Sequence, residues 1–381
     1  MNRIVVVGAS AAGLAAVETL RREGFAGTVT LIGAEIDLPY DRPPLSKQIL
    51  ASTWDAERLA LRTLEQLTAL RLDLRLGVRA AGLDLAGRVV RLDDGTEVPY
   101  DGLIVATGVR PRRLSGSGAH FLRTIKDALD LRRSLRPGTR LTIVGAGFLG
   151  AECAAVARGL GCRVVLLEPA AVPLAHAVGT RIGSMLAAAH RENGVDLRTG
   201  VMVHDLGDPV LADADEVLVA IGSRPNTEWL AGSGLTVDDG LVCNRYSEAA
   251  PGVYGAGDVA RWHNPLFGVD MRVEHRTNAA EQGMAAARNL LNPHARKPFA
   301  PVPYFWSDQY DLRIQAFGHL RDHDLVEIVE GDLGSRRFLA AYRRDGRLVG
   351  ALAVGLPPKA VRPWRQAIAT RALWGDLPRQ V

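Results

Sequence analysis

The stretch IVVVGASAAG at residues 4–13 decides the fold, because it joins a short apolar run to a glycine-rich turn and then to a helical pattern. The stretch LTIVGAGFLG at residues 141–150 repeats this arrangement. A second apolar run follows each helical pattern, at residues 29–32 and 163–167. Each copy is therefore predicted to form a β-α-β unit, in which a pyrophosphate binds at the amino end of the helix.

Two such units predict two nucleotides bound at once, since each unit normally serves one pyrophosphate. Apolar runs at residues 102–106, 216–220 and 252–254 fit the closing strands of these units. The predicted fold class is therefore α/β, with two Rossmann-like dinucleotide-binding domains.

The pattern changes after the proline-rich break at residues 297–303. Runs at residues 340–343 and 348–354, separated by Asp345 and Gly346, are typical of an antiparallel hairpin. A smaller C-terminal α+β domain is predicted there.

The composition limits the class of protein. The chain has 381 residues, of which 47% are hydrophobic, and this excludes a disordered or fibrous protein. Its formal net charge is only +4, but the charge is uneven along the chain. From residue 336 to the carboxyl terminus two acidic residues stand against ten basic ones: Arg336, Arg337, Arg343, Arg344, Arg347, Lys359, Arg362, Arg365, Arg371 and Arg379.

The three cysteines, Cys153, Cys162 and Cys243, form no C-x-x-C pair, which indicates a reducing compartment. They also exclude a cysteine-ligated iron–sulfur cluster on this chain, so any such cluster must belong to a partner. The nine histidines show no metal-ligand spacing, and no metal site is expected. With neither a signal peptide nor an 18-residue apolar stretch, the protein is expected to be soluble and cytoplasmic.

The second glycine motif reads Gly145-x-Gly147-x-x-Gly150. Its first glycine makes the tight turn, the second lets the backbone approach the pyrophosphate, and the third lets the helix pack on the strand. Glu168 ends the following strand, where a carboxylate accepts hydrogen bonds from ribose hydroxyls and repels a 2′-phosphate. This position favours NADH over NADPH.

The first glycine motif reads Gly8-x-Ser10-x-x-Gly13, with serine in place of the middle glycine. The small serine side chain still allows a close backbone approach. Glu35, two residues beyond the end of the next strand, is the candidate contact of the adenosine ribose.

The stretch LPYDRPPLSK at residues 38–47 resembles the signature of the ferredoxin and rubredoxin reductases of oxygenase systems. Residues 104–111 (IVATGVRP) and 219–225 (VAIGSRP) resemble the two crossovers between the FAD and NAD domains of that family. Residues 254–259 (YGAGDV) resemble its second FAD motif, and residues 303–310 (PYFWSDQY) resemble the entry to its C-terminal interface domain. The resemblance covers nearly the whole chain.

The resemblance implies the glutathione-reductase-like arrangement of FAD and NAD domains followed by the C-terminal α+β domain. The expected boundaries are residues 1–108 and 240–297 for a discontinuous FAD-binding domain, 109–239 for the NAD-binding domain and 298–381 for the C-terminal domain. Its cofactors are expected to be FAD and NADH.

The resemblance also implies the site residues. Lys47 would approach the N5 edge of the flavin and pair with Glu152, and these two are the candidate catalytic residues. The candidate FAD contacts are Gly8, Ser10, Ala11, Ala12, Gly13, Glu35, Arg42, Lys47, Ala106, Thr107, Gly108, Arg123, Gly257, Asp258, Glu274, His275, Arg276 and Trp306. The candidate NAD contacts are Gly145, Gly147, Phe148, Leu149, Gly150, Glu168, Ile221 and Gly222.

One residue departs from the family pattern. Residues 273–279 (VEHRTNA) resemble the segment that runs beside the isoalloxazine, and relatives often carry tryptophan or another apolar residue where this chain has Arg276. The departure bears on how electrons leave the ring and how exposed it is.

Taken together, the resemblance implies that NADH delivers hydride to FAD, which passes electrons singly to a [2Fe-2S] ferredoxin or a rubredoxin that feeds a cytochrome P450 or a ring-hydroxylating oxygenase. An acidic partner is expected, since some C-terminal arginines would steer it. Neither nucleic acid nor membrane is expected as a partner, and the chain is expected to be a monomer or a weak homodimer.

Two other functions stay open. The first is a flavin-only NADH oxidase or the NADH-binding component of a nitrite reductase; residues 38–47 contain no cysteine, which argues against the thiol-dependent oxidases. The second, from another class, is an NADH-sensing flavoprotein that regulates binding to other proteins.

Overall fold

The computed structural model of the protein describes residues 1–377, which form two compact units. The first unit comprises Met1–Asp41, Leu59–Arg110 and Arg224–Pro303. The second comprises Arg42–Arg58, Pro111–Ser223 and the described residues from Tyr304 onward. The three domain boundaries expected from the sequence stay a prediction. Arg379 and the last residues of the expected C-terminal domain lie outside the described part of the chain.

The described residues form eight α-helices and 24 strands. The helices are α1 (Ala11–Arg22), α2 (Leu64–Ala69), α3 (Ile125–Ser134), α4 (Phe148–Gly159), α5 (Ala175–Val178), α6 (Thr180–Glu192), α7 (Arg276–Leu291) and α8 (Pro358–Ala369). The strands are β1 (Arg3–Val7), β2 (Thr28–Gly33), β3 (Asp73–Leu76), β4 (Ala80–Asp84), β5 (Val89–Leu92), β6 (Glu97–Pro99), β7 (Gly102–Val105), β8 (Val109–Pro111), β9 (Ala119–His120), β10 (Arg140–Val144), β11 (Arg163–Glu168), β12 (Asp196–Thr199), β13 (Glu216–Val219), β14 (Ser223–Pro225), β15 (Leu241–Cys243), β16 (Glu248–Ala250), β17 (Val253–Gly255), β18 (Ala260–Asn264), β19 (Val269–Arg272), β20 (Tyr304–Gln309), β21 (Leu312–Gly318), β22 (Leu325–Asp332), β23 (Arg337–Arg344) and β24 (Arg347–Val354).

A six-stranded sheet with the order β16-β17-β7-β1-β2-β3 forms the centre of the first unit. β1 pairs in parallel with β2 and with β7, and Ile4, Val5 and Val6 are almost fully buried. Strands covered on both faces need apolar residues at every position, and the run at residues 4–7 supplies them. The smaller sheets β4-β5-β6 and β15-β18-β19 complete this unit.

The second unit contains two five-stranded sheets. One is parallel with the order β12-β11-β10-β13-β9 and contains the second copy of the repeat. The other is antiparallel with the order β20-β21-β24-β23-β22. In it β23 and β24 form the hairpin predicted around Asp345 and Gly346. The predicted α/β class with an α+β C-terminal part is confirmed.

Within residues 1–377 no helix is long and apolar enough to cross a lipid bilayer.

Candidate functional site

The glycine turn of the first unit brings two backbones very close together. Gly8 has a φ of +119°, and a Cβ at this position would lie 2.0 Å from the carbonyl oxygen of Ala106. α1 begins after Ser10, whose side chain does not cap the helix. The amide groups of its first turn are therefore suited to a pyrophosphate, which supplies the acceptors that a helix amino end lacks.

Other candidate FAD contacts gather around this turn. A Cβ at Gly257 would lie 3.0 Å from Cβ of Ala12 and 3.5 Å from Cβ of Ala279, so the second FAD motif meets both α1 and the start of α7. The backbone N–H of Gly257 donates to Oε1 of Gln282 on α7 at 3.0 Å. Three stretches that are far apart in the sequence thus converge in one unit.

Asn278 fits a polar ligand at this place. It lies in the first turn of α7 and is 1% exposed. Neither its amide nitrogen nor its amide oxygen has a hydrogen-bond partner among residues 1–377. Leaving a buried amide unpaired costs about 1–3 kcal/mol, so a bound group with a donor and an acceptor would stabilise it. The residues of this unit therefore fit a dinucleotide such as FAD.

Several candidate FAD contacts in the first unit have partners of their own. The Tyr40 hydroxyl donates to the Glu35 carboxylate. The hydroxyl of Thr107 donates to the carbonyl oxygen of Asn226, and the Asn226 amide donates back to the Thr107 carbonyl, each at 2.8 Å. These bonds hold the Glu35 carboxylate and the backbone at Thr107 in fixed positions.

Two arginines compensate acidic residues near the start of α7. Arg272 donates to Glu274 at 2.6 Å. Arg276, the residue that departs from the family pattern, forms an ion pair with Asp41. Its charge is thus balanced within the unit.

The structure divides the candidate FAD contacts between the two units. Those in the first unit are Gly8, Ser10, Ala11, Ala12, Gly13, Glu35, Ala106, Thr107, Gly108, Gly257, Asp258, Glu274, His275 and Arg276. Those in the second unit are Arg42, Lys47, Arg123 and Trp306. There Arg42 donates to the carbonyl oxygen of Arg123 at 2.7 Å, which brings two of the four together.

The candidate NAD contacts all lie in the second unit. Most are at the turn between β10 and α4 and at the start of α4, while Glu168 ends β11 and Ile221 and Gly222 follow β13. Gly145 has a φ of +104°, and a Cβ there would lie 2.5 Å from the carbonyl oxygen of Ala220. Gly147 is the N-cap of α4, and a Cβ on it would meet nothing within 4 Å. The turn is therefore tight on one side and open where a pyrophosphate would approach.

Glu168 lies at the rim of this turn. β11 runs parallel to β10, so its last residue ends beside the glycine loop. The Glu168 carboxylate accepts from the backbone N–H of Ala146 at 2.9 Å and from that of Ala170 at 3.0 Å. These two bonds fix a negative charge where a nucleotide ribose would lie.

Lys47 and Glu152 form a buried ion pair. The Lys47 Nζ lies 2.6 Å from Oε2 of Glu152, and the two side chains are only 12% and 7% exposed. The hydroxyl of Ser46 donates to Oε2 at 2.6 Å, and the hydroxyl of Ser307 donates to Oε1 at 2.7 Å. Burying two charges is costly unless the remaining lone pairs are satisfied, and these hydroxyls satisfy them.

Sequence reasoning missed the partners of this pair. Residues 38–47 contain Ser46 and residues 303–310 contain Ser307, but neither stretch predicts that its serine binds Glu152. A signal was present in β20, where Phe305, Ser307 and Gln309 occupy every second position and so share one strand face. No sequence signal marked His190, whose Nε2 lies 3.1 Å from Oε1 of Gln309.

The aromatic residues of β20 pack in pairs. Phe305 lies against Phe148, the first residue of α4, with ring centroids 4.8 Å apart. Trp306, on the other face of the strand, stacks on Tyr304 at 6.0 Å. The strand thus presents an aromatic and polar face to α4 and a stacked pair on its opposite face.

The cysteines are buried thiols. Burial raises the pKa of Cys243 to about 12, and it also raises the pKa of Cys153 and of Cys162. A thiol whose pKa is raised holds little thiolate at neutral pH and is a poor nucleophile. No group of three or more histidine, cysteine or acidic side chains within residues 1–377 could hold a metal ion.

Two glycine turns that suit pyrophosphates, a strand-end carboxylate and a buried lysine–glutamate pair define a dinucleotide-dependent oxidoreductase. Residues 2–283 match the family described as pyridine nucleotide-disulphide oxidoreductase, and residues 304–375 match the one described as reductase C-terminal. The chain belongs to the pyridine nucleotide-disulphide oxidoreductase family, and it is an FAD-dependent oxidoreductase that uses NADH.

Relatives support this assignment over more than nine-tenths of the chain. The ferredoxin–NAD(+) reductase component of the anthranilate 1,2-dioxygenase system of Burkholderia cepacia is 38% identical over 92% of this chain and 90% of its own length. Putidaredoxin reductase of Pseudomonas putida is 34% identical over 93% of this chain and 89% of its own. The crystal structure of a covalent putidaredoxin reductase–putidaredoxin complex superposes with a TM-score of 0.91 at 33% identity, covering 97% of this chain and 93% of the other.

The ion pair makes a prediction about stability. We expect Lys47→Met to lower the free energy of unfolding by about 3–5 kcal/mol, because it leaves the buried Glu152 carboxylate without its counter-ion. The double variant Lys47→Met with Glu152→Gln should lose clearly less free energy of unfolding than Lys47→Met alone, since it buries no charge at this pair. Equilibrium denaturant unfolding of the FAD-bound protein measures both. Lys126→Met, which breaks the exposed ion pair with Asp130, is the control and should cost less than about 1 kcal/mol. Additive losses in the double variant would contradict the coupling.

Proposed function

We propose that this chain carries electrons from NADH through FAD to a [2Fe-2S] ferredoxin or a rubredoxin, which feeds a cytochrome P450 or a ring-hydroxylating oxygenase. The observation that carries the proposal is the buried Lys47–Glu152 pair, in a chain with two dinucleotide turns and no thiol in residues 38–47. The names of the relatives, which are reductases of ferredoxins and of putidaredoxin, support it.

Bound FAD supplies the chemistry, because a flavin accepts a hydride and gives up the two electrons one at a time. The chain's own residues bind and orient. In the proposal the turn at Gly8 and the uncapped amino end of α1 bind the FAD pyrophosphate, and Glu35 binds the adenosine ribose. Asp258 binds the ribityl chain, and Asn278 gives its unpaired amide to the same cofactor.

Lys47 acts by charge in this proposal. Its ammonium would stabilise, by its charge, the negative charge that reduction brings to the bound flavin. Glu152 holds the ammonium in place and is itself held by Ser46 and Ser307. On the nicotinamide side, the turn at Gly145 binds the NADH pyrophosphate and Glu168 binds its ribose.

An anaerobic experiment tests the proposed function. We expect NADH to bleach the flavin spectrum of the purified protein rapidly, and cytochrome c reduction to depend strongly on added [2Fe-2S] ferredoxin or rubredoxin. A chain with only a sensing role would bleach and reoxidise slowly while its oligomeric state changed. Fast oxygen uptake without any protein acceptor would instead establish a flavin-only oxidase.

Glu168 provides a test of coenzyme choice. We expect Glu168→Ala to lower the ratio of kcat/KM for NADH over NADPH by about tenfold, because a carboxylate bonded to ribose hydroxyls is worth roughly 1–3 kcal/mol. Asp196→Ala, on the neighbouring strand β12, removes an exposed carboxylate and is the control. An unchanged ratio in Glu168→Ala would show that the coenzyme is selected elsewhere.

We propose that the partner is acidic and that α8 steers it. Val361, Trp364 and Ile368 bury one face of this helix, while Lys359, Arg362 and Arg365 are exposed and the helix contains no acidic residue. Other basic residues of this end are compensated, as when Arg343 donates to Asp324 at 2.7 Å and Arg336 pairs with Glu192. Uncompensated charge of one sign accelerates the encounter with a partner of opposite charge.

Charge reversal checks the role of α8. We expect the triple variant Lys359→Glu, Arg362→Glu and Arg365→Glu to lower kcat/KM for an acidic ferredoxin about tenfold at low salt, with a smaller effect at high salt. The anaerobic rate of flavin reduction by NADH should stay unchanged.

The control carries the same change of net charge on exposed arginines of the parallel-sheet region, namely Arg163→Glu, Arg191→Glu and Arg198→Glu. Equal losses in the two triple variants would show that only total charge matters.

We also propose that the protein acts in the cytoplasm, since its free cysteines suit a reducing compartment. We further propose that it is a monomer or a weak homodimer, which light scattering would check.

A further inference from the structure

A continuous line of buried polar side chains leads away from the Lys47–Glu152 pair. The hydroxyl of Ser307 donates to Glu152 at 2.7 Å, and Nε2 of Gln309 lies 3.3 Å from that hydroxyl oxygen. Oε1 of Gln309 lies 3.1 Å from Nε2 of His190, and Nδ1 of His190 lies 2.9 Å from the hydroxyl of Tyr310. Ser307, Gln309 and His190 are 0%, 1% and 3% exposed.

The local structure explains how these side chains meet. Ser307 and Gln309 are two residues apart on β20, so they point to the same face of the strand. Glu152 is four residues after Phe148 on α4, and this helix face meets the same strand face, where Phe148 packs on Phe305. His190, near the end of α6, completes the line at Gln309.

The direction of every hydrogen bond in the line is fixed by Glu152. An ionised carboxylate only accepts, so the Ser307 hydroxyl must donate to it and accept from the Gln309 amide nitrogen. The Gln309 oxygen then faces His190, whose Nε2 must carry the proton. Nδ1 of His190 is left as an acceptor, and Tyr310 donates to it. All four donors therefore point towards Glu152.

The pKa values of His190 and Tyr310, the two residues farthest from Glu152 in the line, agree with this direction of hydrogen-bond donation. Burial lowers the pKa of His190 to about 4, so its imidazole is neutral at physiological pH and can accept at one nitrogen. Burial raises the pKa of Tyr310 to about 12, so its hydroxyl keeps the proton that it donates. Tyr310 also holds a left-handed φ of 56°, which is costly for a tyrosine and places it in the turn between β20 and β21.

We propose that Ser307, Gln309, His190 and Tyr310 are positioning residues that, through this one-directional line of hydrogen bonds, hold the Glu152 carboxylate ionised and leave the charge of Lys47 available to the flavin. The inference rests on the proposed role of Lys47. Each donor spreads the negative charge of Glu152 away from Lys47, and dipoles aligned in one direction strengthen one another.

Loss of a donor changes the flavin in a definite direction. Without the Ser307 bond the carboxylate binds Lys47 more strongly and its own negative charge is less compensated. Reduction of the flavin adds further negative charge nearby, so it becomes less favourable. The reduction potential of bound FAD therefore falls, and hydride transfer from NADH slows.

Three variants grade the effect along the line. We expect Ser307→Ala to slow anaerobic flavin reduction about three- to tenfold, the size of one ordinary hydrogen bond, and to shift the potential to a more negative value. Gln309→Leu should slow flavin reduction and lower the potential less than Ser307→Ala does, and Tyr310→Phe should have the smallest effect. The matched control is Tyr342→Phe, which removes a buried tyrosine bond to the carbonyl oxygen of Val178 in the same unit.

A second measurement does not depend on catalysis. Two-bond ¹H–¹⁵N correlation spectra of the FAD-bound protein, assigned by comparison with His190→Gln, report which ring nitrogen of His190 carries the proton. We expect the Nε2–H form in the wild type, a changed Nδ1 shift in Tyr310→Phe and no change in Tyr342→Phe.

The outcomes separate this inference from the proposed function. An Nδ1–H form of His190, or potentials in all three variants equal to that of Tyr342→Phe, would overturn the line of donors while leaving NADH oxidation intact. A wild type that NADH does not reduce would instead overturn the proposed function, whatever tautomer His190 showed. Thermal unfolding identifies a variant that fails to fold. The potentials of the other two variants then test the line of donors.

Discussion

The carboxylate of Glu152 is the constraint on which the second unit depends. A buried carboxylate needs a donor for nearly every lone pair. Glu152 lies on α4, and its donors come from residues 46–47 and from β20. These segments are about a hundred or more residues apart in the chain. Because losing any one donor leaves part of the charge unsatisfied, the carboxylate requires all three segments to keep their positions within this unit.

The sequence predicted those parts of the fold whose causes are local. Each strand, turn and helix of the repeat lies within about thirty residues, and the apolar runs, glycines and helical pattern agree with one another. β1 and β10 accordingly form where the apolar runs predicted them, each between two parallel neighbours. The hairpin at Asp345 and Gly346 was equally local, since the turn residues fix its register.

The sequence predicted less of the site, because its contacts are not local. Lys47 and Glu152 were named together only through a family resemblance, and nothing in their spacing indicates a contact. Ser307, Gln309 and His190 were assigned no role from the sequence. Their role depends on which face of β20 meets α4 and α6, and strand alternation indicates that two residues share a face without indicating what that face contacts.

At Arg276 the chain departs from the family pattern, but the positive charge of this arginine has a counter-ion beside it. An arginine in the first turn of α7 meets the positive end of the helix dipole, and a lone cation there would be unfavourable. Asp41 forms an ion pair with it in the same unit and neutralises the added charge. An arginine in place of an apolar residue therefore adds a charge that has its counter-ion beside it, and it changes the polarity and hydrogen bonding of this segment.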